Sequence, residues 1–279
     1  MAALQIQEMN STSPRTDGVL LVQISDTHLT REAGSRLRGV VVAESLREVL
    51  RLLRHRHPQC ERLWVTGDIS HDGSVESYRR LRELTAPLGV SLRCLPGNHD
   101  RPEVMREQLA PSSWPEAETI GAWRLIALST HLPGSEGGYL DETQLAGLEA
   151  ALQDSRDRPT LIALHHPPLE TGSPWLDRIG LRNGDAFRRL VSAHAQVRAV
   201  LFGHAHQEID HTLEGIRWLG CPATCVQFLP RSHKPCSDRR LPGYRWLRLC
   251  SDGTLETGIE RLAAWPAGSH PEGLPDGAS

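Results

Sequence analysis

The residues best suited to chemistry lie in the stretch Leu95-Pro96-Gly97-Asn98-His99-Asp100. It places an amide oxygen, an imidazole and a carboxylate side by side where an apolar run ends. The run 90–95 predicts a buried strand, and Pro102 is typical of the first turn of a helix. Gly97 would let the chain turn sharply and approach a ligand closely. By itself the stretch could also be an ordinary polar turn, so its interpretation depends on the rest of the chain.

Four further predicted strands end in side chains of the same types. On an extended chain, residues two apart point to the same side, so Asp26 and His28 are expected to face one ligand. Because ligands of open α/β sheets bind at the carboxyl ends of the strands, all five motifs are expected to converge. The four are Asp26-Thr27-His28, Gly67-Asp68, His165-His166-Pro167-Pro168 and Gly203-His204-Ala205-His206.

The shared donor chemistry of these motifs is that of a divalent metal site. Each motif alone has an ordinary structural interpretation, as a helix-capping turn, a loop or a weak metal motif. Together they offer Asp, His and Asn donors and no thiolate, which suits Mn, Fe(II) or Zn. The number of donors implies two ions, with one carboxylate free to bridge them.

The elements that must position these residues alternate between strand and helix, which predicts an α/β layered fold. Short runs after His206, separated by Gly, Pro and Asp-Gly, predict hairpins that close a second sheet. The predicted strands are 19–24, 62–66, 90–95, 123–128, 160–164 and 197–202, and the later runs are 216–219, 224–229, 244–249 and 254–260. The predicted helices are 41–54, 74–84, 102–109, 141–153 and 185–194.

Composition limits the class of protein. The 279 residues are 39% hydrophobic, with a formal net charge of -3, which argues against a nucleic-acid or anionic-membrane surface. The absence of a signal-peptide pattern or a long apolar run predicts a cytoplasmic protein. The 6 Cys are scattered; Cys221 and Cys225 could form a zinc pair, but core cysteines are favoured because no matching pair follows. We expect a flexible segment 1–17, one catalytic domain 18–262 and a disordered tail 263–279.

In this order, the five motifs resemble those of the calcineurin-like metallophosphoesterase superfamily. Three further blocks resemble the bacterial class III 3',5'-cyclic-AMP phosphodiesterases, and the resemblance runs from about Val19 to Arg261. It implies a four-layer αββα sandwich of two mixed sheets flanked by helices. The blocks are Gln23 to Leu29, Trp175-Leu176-Asp177 with Leu181-Arg182-Asn183, and Pro222 to Phe228.

The resemblance also implies a role for each motif residue. Two divalent ions, Fe(II) or Mn(II), would present a bridging hydroxide to the phosphorus of cyclic AMP, and His99 would protonate the leaving 3' oxygen to give 5'-AMP. One metal set is Asp26, His28 and His206, the other is Asn98, His165 and His204, and Asp68 bridges them. The expected substrate contacts are His28, Asp68, Asn98, His99 and His206.

Several alternatives stay open at this point. The chain could act on another phosphodiester or monoester, including 2',3'-cyclic nucleotides or cyclic GMP, or be a non-catalytic regulatory module on the same fold. No nucleic-acid polymer, membrane or protein partner is predicted. We expect Asp100 to orient or stabilise the imidazolium of His99. His71 could approach the site, although a surface loop is favoured, and His166 is either a support for a ligand or structural.

Overall fold

Two mixed β-sheets stack face to face, and helices cover both outer faces. The computed structural model describes residues 17–113 and 117–273. The first sheet has the spatial order β13-β12-β1-β4-β5, in which β1, β4 and β5 are parallel and β12 and β13 are antiparallel additions. Its strands are β1 (Val19–Ile24), β4 (Arg62–Thr66), β5 (Ser91–Leu95), β12 (Gly243–Leu249) and β13 (Leu255–Arg261).

The second sheet has six strands in the order β10-β11-β9-β8-β7-β6, with a parallel centre and an antiparallel strand at each edge. Its strands are β6 (Ala117–Ile120), β7 (Trp123–Ala127), β8 (Thr160–Ala163), β9 (Val197–Phe202), β10 (Ile209–Leu213) and β11 (Ile216–Gly220). A small hairpin pairs β2 (Arg36–Leu37) with β3 (Val40–Val41).

Six helices complete the described layers. Ser74 and Asp141 cap their helices by accepting a hydrogen bond from the backbone N–H three residues on, and Gln144 returns a bond to make a full capping box at Asp141. The helices are α1 (Val42–Arg56), α2 (Val75–Thr85), α3 (Pro102–Leu109), α4 (Glu142–Asp154), α5 (Pro174–Asp177) and α6 (Gly184–Ser192), and a 3-10 turn follows α2 at Ala86–Leu88.

The alternation of side chains along the strands divides the core into three layers. Leu20, Val22 and Ile24 of β1 pack with α1, α2 and α3, whereas Leu21 points the other way, towards the second sheet. Leu161 of β8 lies in that same central layer, and the outer face of the second sheet packs with α4, α5 and α6. The predicted four-layer sandwich is therefore confirmed.

Two sequence-based predictions about the later strands are wrong. The runs at 244–249 and 254–260 were expected in the second sheet, but β12 and β13 extend the first one beside β1. The run 224–229 is not a strand, because its backbone bonds to several separate segments and side chains; only Phe228 forms a bridge, with Ser237. Ser45 donates to the carbonyl of Thr224, and His206 donates to that of Val226.

The segment after β13 returns to the β2–β3 hairpin. The backbone N–H groups of His270 and Glu272 donate to the carbonyls of Gly39 and Arg38, each at 2.9 Å, and Ser269 is 8% exposed. Residues 263–273 of the segment assigned to a tail are thus bonded to the domain, whereas 274–279 lie outside the described residues. The predicted N-terminal segment also lies outside them, except for Asp17. Among the described residues, no helix has the length and apolar character that crossing a membrane requires.

Candidate active site

The five motifs meet at one end of the stacked sheets, where β1, β4, β5, β8 and β9 end. Their donor atoms form compact groups within which every atom lies less than 4.8 Å from the others. The groups are Asp26 with His28 and His206, Asp26 with Asp68 and His165, His165 with His166 and His204, and His28 with the exposed His71 and His99. Asn98 joins them through its Oδ1 atom, 3.2 Å from Nε2 of His165. All seven predicted metal ligands are therefore brought together.

The backbone reaches this arrangement through left-handed conformations rather than extended ones. Asp26 and His28 have φ of 55° and 45°, His204 and His206 have 63° and 50°, and Asp68 has 48°. The extended geometry expected for Asp26 and His28 is therefore wrong, although both side chains still face the same group. Non-glycine residues in this region carry a conformational cost, which concentrates at functional sites.

Glycine is required at position 97 by the closeness of neighbouring groups. A Cβ atom there would lie 2.1 Å from Oδ1 of Asp68 and 2.7 Å from Nε2 of His165. The φ of Gly97 is not in the left-handed region, so space and not conformational freedom explains the residue. The groups that the backbone of Gly97 approaches closely are side chains of the site itself.

Hydrogen bonds to carbonyl groups orient two of the candidate ligands. Nδ1 of His165 donates to the carbonyl of Thr66 at 2.8 Å, and Nδ1 of His206 donates to that of Val226 at 2.7 Å. This leaves the lone pair on Nε2 of His206, and on Nε2 of His165 once that ring is neutral. Nε2 of His165 is 3.4 Å from Oδ2 of Asp68, and Nε2 of His206 is 3.5 Å from Oδ1 of Asp26.

Burial keeps the rings of His204 and His206 ready to coordinate. It lowers the pKa of His204 to about 3 and that of His206 to about 4, so both rings are neutral at pH 7. Burial would raise the pKa of Asp68, but His165 outweighs it and holds that pKa well below its usual range. The charge of Asp68 in turn raises the pKa of His165 against the effect of burial. A cation that binds His165 beside Asp68 would therefore have to displace the extra proton of the His165 ring.

The side chains of His99 and Asp100 lie in different environments: the first is exposed and the second is buried. His99 is exposed, its backbone N–H donates to Oδ1 of Asp68 at 2.9 Å, and its Nδ1 lies 3.4 Å from the carbonyl of His71. Asp100 is 3% exposed and accepts from three backbone N–H groups and one hydroxyl, which belong to Ile69, Ser70, Gly97 and Tyr78. The prediction that Asp100 orients the His99 ring is wrong, because its oxygens hold neighbouring loops together.

A cavity of about 420 Å³ opens over these donors. The predicted substrate contacts His28, Asp68, Asn98, His99 and His206 all line it. So does His71, for which a surface loop had been favoured over an approach to the site. The edge of Trp175 meets the ring of Phe228 at 5.0 Å between centroids. The cavity has five further lining residues that were not predicted from the sequence: Leu37, Ile179, Pro235, Arg178 and Glu136.

The ring of His166 packs against a candidate metal ligand, and both of its nitrogens lie close to hydrogen-bonding groups outside the site. Nδ1 is 2.7 Å from the hydroxyl of Thr130, and Nε2 is 3.1 Å from the carbonyl of Glu136. Its ring packs at 4.7 Å from that of His204. Of the two roles left open by the sequence, the geometry favours support of a neighbouring ligand.

The motifs also match a family model. The model described as "Calcineurin-like phosphoesterase" covers residues 19–208, a span that includes every candidate ligand. The chain belongs to the calcineurin-like phosphoesterase family. The resemblance predicted from the five motifs is thereby confirmed.

Relatives of this phosphoesterase span nearly its whole length. It is 45% identical to the 3',5'-cyclic adenosine monophosphate phosphodiesterase CpdA of Pseudomonas aeruginosa, over 91% of this chain and 94% of that protein. It is 37% identical to CpdA of Escherichia coli strain K12, over 88% and 90% of the two chains. A dimetal phosphatase from Danio rerio shares the fold with a TM-score of 0.62 at 17% identity, over 88% of this chain and 96% of that one.

The residues of this phosphoesterase fit divalent metal ions. Nε2 of His204 is buried and has no hydrogen-bond partner among the described residues, which would be costly without a ligand. Nε2 atoms of His28 and His206 face each other at 3.2 Å, as two ligands of one ion do. Imidazole, carboxylate and amide donors without thiolate suit first-row divalent ions.

Proposed function

We propose that this chain hydrolyses 3',5'-cyclic AMP to 5'-AMP with the help of two divalent metal ions. The observation that carries the reaction type is the convergence of seven donors from five strand ends: five of them line one cavity, and Asp26 and His165 are fully buried beside those five. The substrate is inferred from the relative that is 45% identical, which is a 3',5'-cyclic adenosine monophosphate phosphodiesterase. Hydrolysis of this compound would lower the level of a second messenger.

The donor groups support a division of the ligands between the ions. Asp26, His28 and His206 would hold one ion, since their donor atoms form one compact group. The other would be held by Asn98, His165 and His204. Asp68 would serve both, because its Oδ2 lies 3.7 Å from Nε2 of His28 and 3.4 Å from Nε2 of His165.

The bound ions would activate water and neutralise charge on the phosphoryl group. The chain supplies the rest of the chemistry. Asn98, a neutral ligand, would leave its ion more electrophilic than a carboxylate would. With Nδ1 of His99 donating to the carbonyl of His71, Nε2 of the doubly protonated ring would give its proton to the leaving 3' oxygen. General acid catalysis of this type contributes about 10²–10⁴-fold.

The donor chemistry suits Mn(II), Fe(II) or Zn(II), the resemblance implies Fe(II), Mn(II) or both, and metal supply decides between ions that share ligands. A cytoplasmic location stays a prediction from the sequence. Specificity for cyclic AMP is part of the proposal, since the donor set contacts a phosphoester and not a base.

The test is turnover of cyclic AMP by metal-stripped protein reconstituted separately with Mn(II) and Fe(II). Asp68→Ala is the blank, and we expect metal-dependent 5'-AMP that disappears in it. His99→Ala should keep its metal content and lose about 10²–10⁴-fold in turnover, while His55→Ala on the exposed face of α1 is the matched control. Cleavage of bis(p-nitrophenyl) phosphate without cleavage of cyclic AMP would overturn the substrate, and full activity of His99→Ala would overturn the acid.

A further inference from the structure

His71 lies between a candidate metal ligand and the candidate acid. Its Nδ1 is 3.2 Å from Nδ1 of His28, and its ring stacks on that of His99 with centroids 4.7 Å apart and planes inclined by 21°. The ring is at the cavity wall and exposed to solvent. None of the roles derived above uses this imidazole.

The contact with His28 has a defined hydrogen-bond direction if His28 binds metal. Nε2 of His28 faces Nε2 of His206 at 3.2 Å and Oδ2 of Asp68 at 3.7 Å, so Nε2 is the coordinating atom. A coordinating nitrogen must keep its lone pair, and the proton of a neutral ring therefore resides on Nδ1. Nδ1 of His71 must then accept that proton's hydrogen bond.

The turn that carries His71 is held firmly. The backbone N–H of His71 donates to the carbonyl of Leu29 at 2.7 Å. One oxygen of Asp72 accepts from the backbone of Arg31 at 2.8 Å, and the other accepts from the backbone of Ser74 at 3.1 Å. The backbone from which the imidazole projects is thus fixed by the fold before any ligand binds.

We infer that His71 is a positioning residue that fixes the ring of His28 for metal binding and supports the ring of His99. This inference rests on the proposed function. Partners of this kind, which hydrogen-bond the second nitrogen of a ligating histidine, change metal affinity by about 10–100-fold. An aromatic contact such as the one with His99 contributes about 0.5–1.5 kcal/mol, which is about two- to tenfold.

Two substitutions separate the two contacts. His71→Asn keeps an acceptor near the position of Nδ1 and removes the stacked ring, whereas His71→Phe keeps a ring and removes the acceptor. Mn(II) affinity and stoichiometry are measured by isothermal titration calorimetry on metal-stripped protein, and kcat for cyclic AMP is measured at saturating Mn(II). Thermal melts of both variants check that they fold.

We expect His71→Phe to bind Mn(II) about 10–100-fold more weakly and to recover most of its kcat at saturating metal. His71→Asn should bind Mn(II) within about threefold of the wild type and lose about two- to tenfold in kcat. Equal Mn(II) affinity in the wild type and His71→Phe would overturn the inference. Loss of one bound ion per chain in His71→Phe would also overturn it, because His71 would then be a ligand itself.

The metal measurement separates this inference from the proposed substrate. A wild-type chain that binds Mn(II) but leaves cyclic AMP intact would refute the substrate and leave the effect of His71→Phe on affinity to be read directly. A wild-type chain that binds no Mn(II) would refute both the metal part of the proposed function and the role of His71.

Discussion

Replacement of Gly97 by alanine tests whether the site depends on the closeness of its backbone segments. The added methyl group would lie 2.1 Å from Oδ1 of Asp68 and 2.4 Å from its backbone nitrogen. Restoring ordinary van der Waals separation needs a movement of about 1.3 Å. Because one contact is with backbone, a side-chain rotation cannot relieve it, and the loop that carries Asn98 and His99 must move.

A displacement of about 1 Å in a catalytic group costs about 10²-fold in rate, so we expect kcat/KM for cyclic AMP to fall by at least that factor. Overpacking also costs about 1–3 kcal/mol of unfolding free energy. In a chain of this size the melting temperature would fall by about 2–4 °C for each kcal/mol. Turnover of the Mn(II)-loaded enzyme and calorimetric melting measure the two effects.

Gly147→Ala is the matched control, because this exposed glycine lies within α4 and an added Cβ would meet nothing within 4 Å. Alanine favours the helix by about 0.5–1 kcal/mol, so this variant should melt slightly higher with unchanged turnover. Turnover of Gly97→Ala within twofold of Gly147→Ala would refute the steric reasoning.

Three further predictions follow from buried groups. Asp100→Asn should lower the unfolding free energy by about 3 kcal/mol or more, because the new amide nitrogen faces N–H donors. Tyr78→Phe should lower it by only about 1–2 kcal/mol. Urea unfolding measures both effects, and equal midpoints for the two variants would contradict this prediction. Burial raises the pKa of Cys60 to about 11 and of Cys221 to about 12, so their thiolate fraction stays small at pH 8 and at pH 9. Ellman's reagent should therefore modify about one thiol of the native chain, the half-buried Cys236, at either pH, and rapid reaction of several thiols would count against the burial. Mn(II) at a hundredfold excess over its Kd should stabilise the chain by about 3 kcal/mol per site, seen as a melting temperature that EDTA lowers; a melt indifferent to EDTA would argue against metal binding.

The fold was predictable where apolar runs are bounded by polar residues. The ranges Val19–Ile24, Arg62–Thr66 and Val197–Phe202 match the structure residue for residue, since these strands are buried on both faces and read as continuous apolar runs. Edge strand β10 was missed because Asp210 to Leu213 are exposed and mostly polar. The run 224–229 has the residue types of a strand, but its backbone bonds to several distant segments instead of one neighbouring strand.

The donors of the site were predictable because they follow strands at short intervals in the sequence. The apolar wall of the cavity was predictable only in part: Trp175 and Phe228 belong to the blocks that carry the resemblance, whereas Leu37 of β2 and Pro235 of a later loop share no spacing with them. Asp100 was misread because adjacency to His99 in sequence says little about where a side chain points after a turn. The position of His71 beside His28 depends on the contact between the loops after β1 and β4, which no local pattern encodes.

The left-handed backbone at the metal motifs has a consequence for how ligand-deletion variants are interpreted. Alanine at Asp26 or His204 would remove the donor but keep the Cβ that makes φ of 55° or 63° unfavourable, whereas glycine removes both. A glycine variant could therefore be inactive and yet more stable than its alanine counterpart. Natural selection for catalysis at this site is in this sense a selection against local stability, and a screen for thermostability alone would drift towards glycine at the positions that the reaction needs most.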